Sequence, residues 1–182
     1  MEKEYDTLRT EILQNMNSIN NYVAVLYAAL GAVFAFVLSQ NNPILYISIF
    51  VILISISGRI HSLHQSSVKI SAYIIVFIES KSQDLKWETR NASFVTNKNR
   101  NTYDNNNIIR TIATSNATSF IIGLFALGLF FLSLYHNFSM LVLIIGGLIC
   151  IISQLILTFF YISGIRINDK RNKYIEYWKH IK

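Results

Sequence analysis

At 182 residues the chain has room for one domain, expected to cover residues 1–182. Its residues are 52% apolar and 14% charged, with a formal net charge of +6. Apolar residues gathered into blocks argue against an ordinary soluble domain, and in a membrane protein a basic excess records orientation and attraction to anionic headgroups before it suggests nucleic acid. A single cysteine, Cys150, excludes an internal disulfide framework.

The N-terminal segment carries Tyr5, Leu8, Ile12, Met16 and Ile19 at three- and four-residue spacing, which predicts an amphipathic helix. Its acidic residues Glu2, Glu4, Asp6 and Glu11 argue against a cleaved signal peptide, so the first apolar block is expected to stay as an anchor. Four segments have the length and composition of membrane spans: residues 23–39, 44–60, 119–135 and 140–163. None holds an ionised side chain in its body, and only Arg59 touches an end. Tyr22, Tyr46, Tyr135 and Tyr161 stand where a headgroup belt places aromatics.

The connectors set the expected topology. Gln40–Pro43 and His136–Ser139 are short, turn-forming and free of Lys and Arg. Every Lys and Arg falls in the N-terminal segment, the middle polar stretch or the tail, so the positive-inside rule puts all three, and both termini, in the cytoplasm. The expected fold is therefore all-α: an integral membrane protein with four transmembrane helices in two hairpins plus amphipathic cytoplasmic helices.

Residues 61–117 read as a cytoplasmic helix-loop region. Ile70, Tyr73, Ile74, Phe77 and Ile78 are helically spaced, and no Gly or Pro separates them from Arg59, so the second span is expected to run on as one long helix. Leu85-Lys86-Trp87-Glu88 reads either as a partner contact or as packing for that helix. Asn91–Asn107 is Asn-rich and reads as an exposed loop, with helix resuming near Ile108. In the tail, Ile167, Tyr174, Ile175, Trp178 and Ile181 share one face, with basic residues assigned to the other. Each half thus repeats a plan of amphipathic helix, span, short turn and span, without residue-level identity.

Three groups of residues carry the functional expectations. Small residues Ala24, Ala28, Gly31, Ala32 and Ala35 form a stripe on the first span, and Gly123, Gly128, Gly146 and Gly147 offer close-approach points on the third and fourth. Such residues pack helices within a protomer or join protomers in a ring. The intramembrane polar set is Ser48, Ser55, Ser57 and Gln154; without buried ionisable groups it disfavours a coupled transporter and leaves a pore open. Gln154 is expected to bond to a neighbouring helix. Arg59, His61 and His64 cluster at the inner edge of the second span. Two histidines without further ligands do not make a metal site, so no metal and no cofactor is expected. Arg59 and His64 spell R-x4-H, the spacing of HEPN-type ribonucleases, in which a His shuttles protons and an Arg stabilises phosphate charge. On a continuous helix residues five apart point in different directions, and a snorkelling Arg59 is the simpler reading. No P-loop, nucleophile elbow or paired intramembrane carboxylate is present in the sequence.

This layout, with Arg59 and His64, resembles the small membrane effectors of bacterial conflict systems: the SLATT group and, more closely, the accessory transmembrane protein of type VI-B CRISPR loci. Glu4, Tyr5, Leu8 and Arg9 also resemble the Glu-Tyr-x-x-Leu-Arg start of an uncharacterised bacterial membrane family. The first resemblance implies a homo-oligomeric pore in the bacterial inner membrane, functionally linked to an RNA-guided nuclease and depolarising the cell on phage attack. The expected function is accordingly a non-enzymatic permeability effector whose first partner is the lipid bilayer. The alternatives are a membrane-tethered HEPN-like module that binds or cleaves RNA through Arg59 and His64, and a scaffold for a cytosolic partner.

Overall fold

The computed structural model describes residues 2–40, 42–82, 84–93, 115–132 and 140–181. Among the described residues the chain is all-helical, with no strand. Its helices are α1 (Glu2–Gln40), α2 (Tyr46–Tyr73), a short α3 (87–93), α4 (Ser115–Leu132), α5 (Met140–Ile165) and α6 (Ile167–Ile181).

The 39-residue α1 fuses the predicted amphipathic segment and the first apolar block into one rod, about 58 Å long at 1.5 Å per residue. Glu2 and Glu4 in its first turn oppose the positive end of the helix dipole. Its exit is set by Pro43, which disfavours helical backbone in the residue before it. Asn42 is accordingly extended, and its side chain accepts a hydrogen bond from Ile44 N at 3.1 Å. A single 3-10 turn, Pro43–Leu45, then feeds α2. As expected from the missing Gly and Pro after Arg59, α2 does not stop at the end of the apolar block. It continues to Tyr73 and on through a π-helical stretch, Ile74–Glu79.

Three helices are long and apolar enough to cross a membrane: Glu2–Gln40, Pro43–Glu79 and Leu143–Ile165. The apolar stretch Asn116–Leu132 is shorter, and the end of the third predicted span, Ser133–Tyr135, lies outside the described residues. So do the turn His136–Ser139 and most of the predicted loop, from 94 onward. Asn91, Ala92 and Ser93, which the sequence places in that loop, instead belong to α3.

The chain groups into two compact units. The apolar unit comprises Asn20–His61 and Ala113–Gly164; the charged unit comprises Met1–Ile19, Ser62–Ile112 and Ile165–Lys182. In the apolar unit Leu26, Leu30 and Val37 of α1 pack with Ile49, Phe50 and Leu53 of α2, Ala126 and Phe130 of α4, and Cys150 and Leu157 of α5. Helices α4 and α5 are antiparallel, because their contacts run in opposite directions. Asn116 lies against Gly164, Phe120 stacks on Tyr161 at 5.0 Å, Gly123 faces Gln154, and Phe130 sits on Gly146 and Gly147. In the charged unit Tyr5, Ile74 and Ile78 are buried, with Leu8, Ile12, Ile70, Tyr73 and Leu85 against them. Most of the predicted apolar positions of α1 and α2 are used in this way. Met16 of α1 is an exception, more than half exposed, as is Ile181 among the predicted positions of α6.

Candidate functional site

The small residues divide into two kinds. On α4 and α5, Gly123, Gly146 and Gly147 are filled by neighbours, while Gly128 of α4 is exposed with nothing within 4 Å of an added Cβ. A Cβ on Gly146 would lie 3.2 Å from the Phe130 ring and one on Gly147 3.6 Å from it. At Gly123 a Cβ would overlap Gln154 Oε1 and lie 2.8 Å from Leu157 Cδ1, so a larger residue there would make the ends of these two α5 side chains shift. On α1 the opposite holds. Ala24, Ala28, Gly31, Ala32 and Ala35 are all exposed, and nothing stands within 4 Å of a Cβ on Gly31. Leu26, Leu30 and Val37 point into the core. At 100° per residue, Ala28 and Ala35 lie about 160–180° from Leu26, so the stripe is the face turned away from the chain's own core.

The polar residues of the apolar unit are mostly satisfied by helix backbone. Ser48 and Ser55 donate to the carbonyls of Leu45 and Val51 at 2.6 and 2.8 Å. Gln154 is buried and, as its cost in an apolar setting predicts, bonds to the next helix: Nε2 donates to Phe120 O at 3.3 Å. Ser57 is fully buried, and its hydroxyl has no hydrogen-bond partner among the described residues.

Arg59, His61 and His64 share α2 but have different surroundings. Arg59 is exposed. His61 is buried, its Nε2 3.3 Å from Ser163 Oγ and its ring 5.5 Å from that of Phe160. His64 is partly buried, and that burial alone pushes its pKa below the usual imidazole value. Arg59 and His64, five residues apart on continuous helix, point about 140° from each other. Among the described residues no group of three or more His, Cys, Asp or Glu is assembled as a metal site.

The charged unit contains a buried polar cluster that sequence reasoning missed. Glu79 ends the π-helical stretch and is buried. Its Oε1 accepts from Glu88 N at 2.7 Å; its Oε2 accepts from Thr89 N at 2.8 Å and Thr89 Oγ1 at 2.6 Å. It thereby caps the start of α3 with a carboxylate, which suits both the free N–H groups and the helix dipole. Glu88, also buried, accepts from Ser71 Oγ at 2.7 Å. Arg171 of α6 is buried; desolvation pulls its pKa down, and the charge of Glu88 opposes that shift. The sequence had assigned the tail's basic residues to the face opposite the apolar one. Arg171 corrects this, because it lies four after Ile167 and three before Tyr174, on the apolar face itself.

Tyr5 completes the cluster. Burial raises its pKa first and the Glu79 charge adds to this, while Arg9 opposes it by charge and hydrogen bond and Glu88 raises it further. The Arg9 guanidinium stands 4.4 Å from the centre of the Trp87 ring. Leu85 packs against the apolar cluster of the unit and Glu88 is buried, while Trp87 stays half exposed beside Arg9. At the edge, Tyr73 OH donates to Glu4 Oε1 at 3.1 Å, and that bond is the main reason its pKa is raised.

Comparison with known protein families, curated proteins and solved structures finds no match. The reading of function therefore rests on the residues themselves. Their arrangement offers helix packing, a buried polar cluster with a capped carboxylate, and an uncovered small-residue face. Each carboxylate of the buried pair is held by donors from the fold: Glu79 by the start of α3, Glu88 by Ser71.

Proposed function

We propose that the chain is a non-enzymatic membrane protein that crosses the bilayer four times as two hairpins, with both termini cytoplasmic, and assembles into a homo-oligomeric pore. The observation that carries this reading is the exposed Ala24, Ala28, Gly31, Ala32 and Ala35 face of α1, opposite the core-facing Leu26, Leu30 and Val37. Lipid tails are as apolar as leucine, so a membrane helix gains little by hiding large side chains. It gains from close backbone approach, which small residues allow. The inside of the apolar unit is filled by Phe50, Phe130, Leu26, Ile49 and Leu53, so a permeation path belongs between copies. Exposed Arg59 would then set the charge at the mouth of such a path. The resemblance to conflict-system effectors supplies the setting: depolarisation of an infected cell in concert with an RNA-guided nuclease.

The test is assembly together with conduction. Gly31→Leu and Ala28→Leu should dissolve a detergent-stable oligomer and abolish depolarisation in expressing cells, while insertion and the fold of the monomer stay intact. An oligomer unchanged by both substitutions would overturn the assignment. For the pore mouth, Arg59→Lys should be nearly silent and Arg59→Glu disruptive, because the sign of charge is what matters there. Specific RNA cleavage by the parent protein, lost in His64→Ala, would replace the pore with the HEPN-like alternative.

A further inference from the structure

The charged unit contains a cavity of about 620 Å³ lined by Lys81, Lys86 and Lys179 together with Glu79, Ser82 and Thr89, over a floor of Ile75 and Val76. We propose that this cavity binds an organic phosphate, with its phosphate groups on the three lysines and its apolar part on Ile75 and Val76. Three features support this. The first is charge balance. The lining carries three ammonium groups against a single carboxylate, Glu79, whose oxygens are engaged by the backbone N–H groups of Glu88 and Thr89 and the Thr89 hydroxyl, which leaves a net positive lining. Among the described residues none of the three ammonium groups has an ion-pair partner.

The second feature is donor supply. Each lysine offers up to three N–H donors on a flexible stem, suited to phosphate as a point charge. Ser82 Oγ accepts from Leu85 N at 3.2 Å, which leaves its own proton available to a ligand. The third is size. The volume falls within the roughly 300–1,000 Å³ typical of small-molecule sites, and exceeds what a lone inorganic anion needs. The three lysines come from separate segments of the unit. Lys81 follows the π-helical stretch through the Lys81 N to Ile78 O bond at 3.1 Å, Lys86 precedes α3, and Lys179 projects from α6.

Two sources present this chemistry: an anionic lipid headgroup and a free nucleotide. The experiment uses full-length protein purified in a neutral detergent, with ATP as one probe and short-chain phosphatidylglycerol as the other, each measured by calorimetry at low and moderate salt. The parent should bind at least one probe with micromolar to submillimolar affinity. The triple variant Lys81→Ser/Lys86→Ser/Lys179→Ser should weaken that binding at least tenfold. A control variant removing the same charge elsewhere, Lys3→Ser/Lys69→Ser/Lys173→Ser, should stay within about twofold of the parent. Binding of ATP assigns a soluble nucleotide and binding of phosphatidylglycerol alone assigns a headgroup; either supports the site. No binding of either probe up to millimolar concentration would overturn it. Equal losses in the two triple variants would also overturn it, since they would reduce the effect to net charge. Oligomer size, followed in parallel, separates this result from the assembly proposed above.

Discussion

In the apolar unit the largest buried side chains are Phe50, Phe130, Leu26, Ile49 and Leu53, and the outside of α5 is as apolar as its inside: Leu141, Ile144, Leu148, Ile152, Leu155 and Phe159 are all more than half exposed. In the charged unit the buried set includes Glu79, Glu88, Ser71 and Arg171 beside Tyr5, Ile74 and Ile78. The contrast follows from what each region gains by folding. Where lipid is expected around the helices, apolar area has no preference for inside over outside, and shape must choose the partner. Phe130 against Gly146 and Gly147, and Gly123 under Gln154, are such fits. Where helices are short and surrounded by polar sequence, directional bonds fix which ends meet. The capped carboxylate of Glu79 does this for α3.

The largest expected effect tests the first half of that contrast. Phe130→Ala should destabilise the apolar unit by about 3–5 kcal/mol, because the ring fills the space above two glycines and leaves a cavity when removed. Steric trapping in bicelles reads the loss. Hydrogen exchange should show it first in α4 and α5, with 87–93 and α6 little changed. Simultaneous loss of protection across both units would mean that they unfold as one, and the comparison would fail.

The second test moves to Glu79. Glu79→Ala removes the acceptor for two backbone N–H groups and a hydroxyl, a loss of about 2–4 kcal/mol for buried bonds to a charged group. Glu79→Gln keeps an acceptor oxygen and should cost about half as much. Amide exchange within 87–93 should accelerate in both variants, more in the alanine. Unchanged protection there would assign the end of the π-helical stretch, and not its carboxylate, as the support of α3.

These two units were legible in the sequence to different degrees, for the same physical reason. Lipid-spanning helices demand long runs without charge, and those runs stand out as composition alone. The first, second and fourth of these runs fall on the three helices long and apolar enough to cross a membrane, and the Asn42-Pro43 turn between α1 and α2 could be read directly. Gln154 was legible too, since one amide in an apolar helix has few places to bond. The buried cluster was not. Glu79, Glu88 and Arg171 become interior only through contacts between segments far apart in the chain, and composition scores each as surface. One signal was present. Arg171 falls in register with Ile167, Tyr174 and Trp178, and a charge on an apolar face asks for a buried counter-charge. The small-residue stripe was visible as a stripe, but only the position of Leu26, Leu30 and Val37 in the core shows which way it faces.

The smallest expected effect is a pH dependence confined to the charged unit, and it comes from His64. Burial holds the folded imidazole below its ordinary value of 6.5, with no neighbouring charge contributing to the shift. In the unfolded chain the ring is solvated and protonates near that ordinary value. As pH falls through 6.5, the unfolded state takes up a proton that the folded state does not, so stability declines. The decline levels off once pH drops below the folded value, where both states are protonated. The contribution is thus complete above 6.5 and lost on the acid side of it. His64→Gln keeps a polar side chain but cannot titrate. Subtracting its stability profile from the parent's between pH 8 and pH 5 should give a difference flat above about pH 7 that grows toward acid. Exchange rates in the charged unit should follow the same curve, while those in α4 and α5 should not. A parent profile that keeps its full slope in His64→Gln would assign the pH response to other groups and leave His64 an ordinary, titration-silent packing residue.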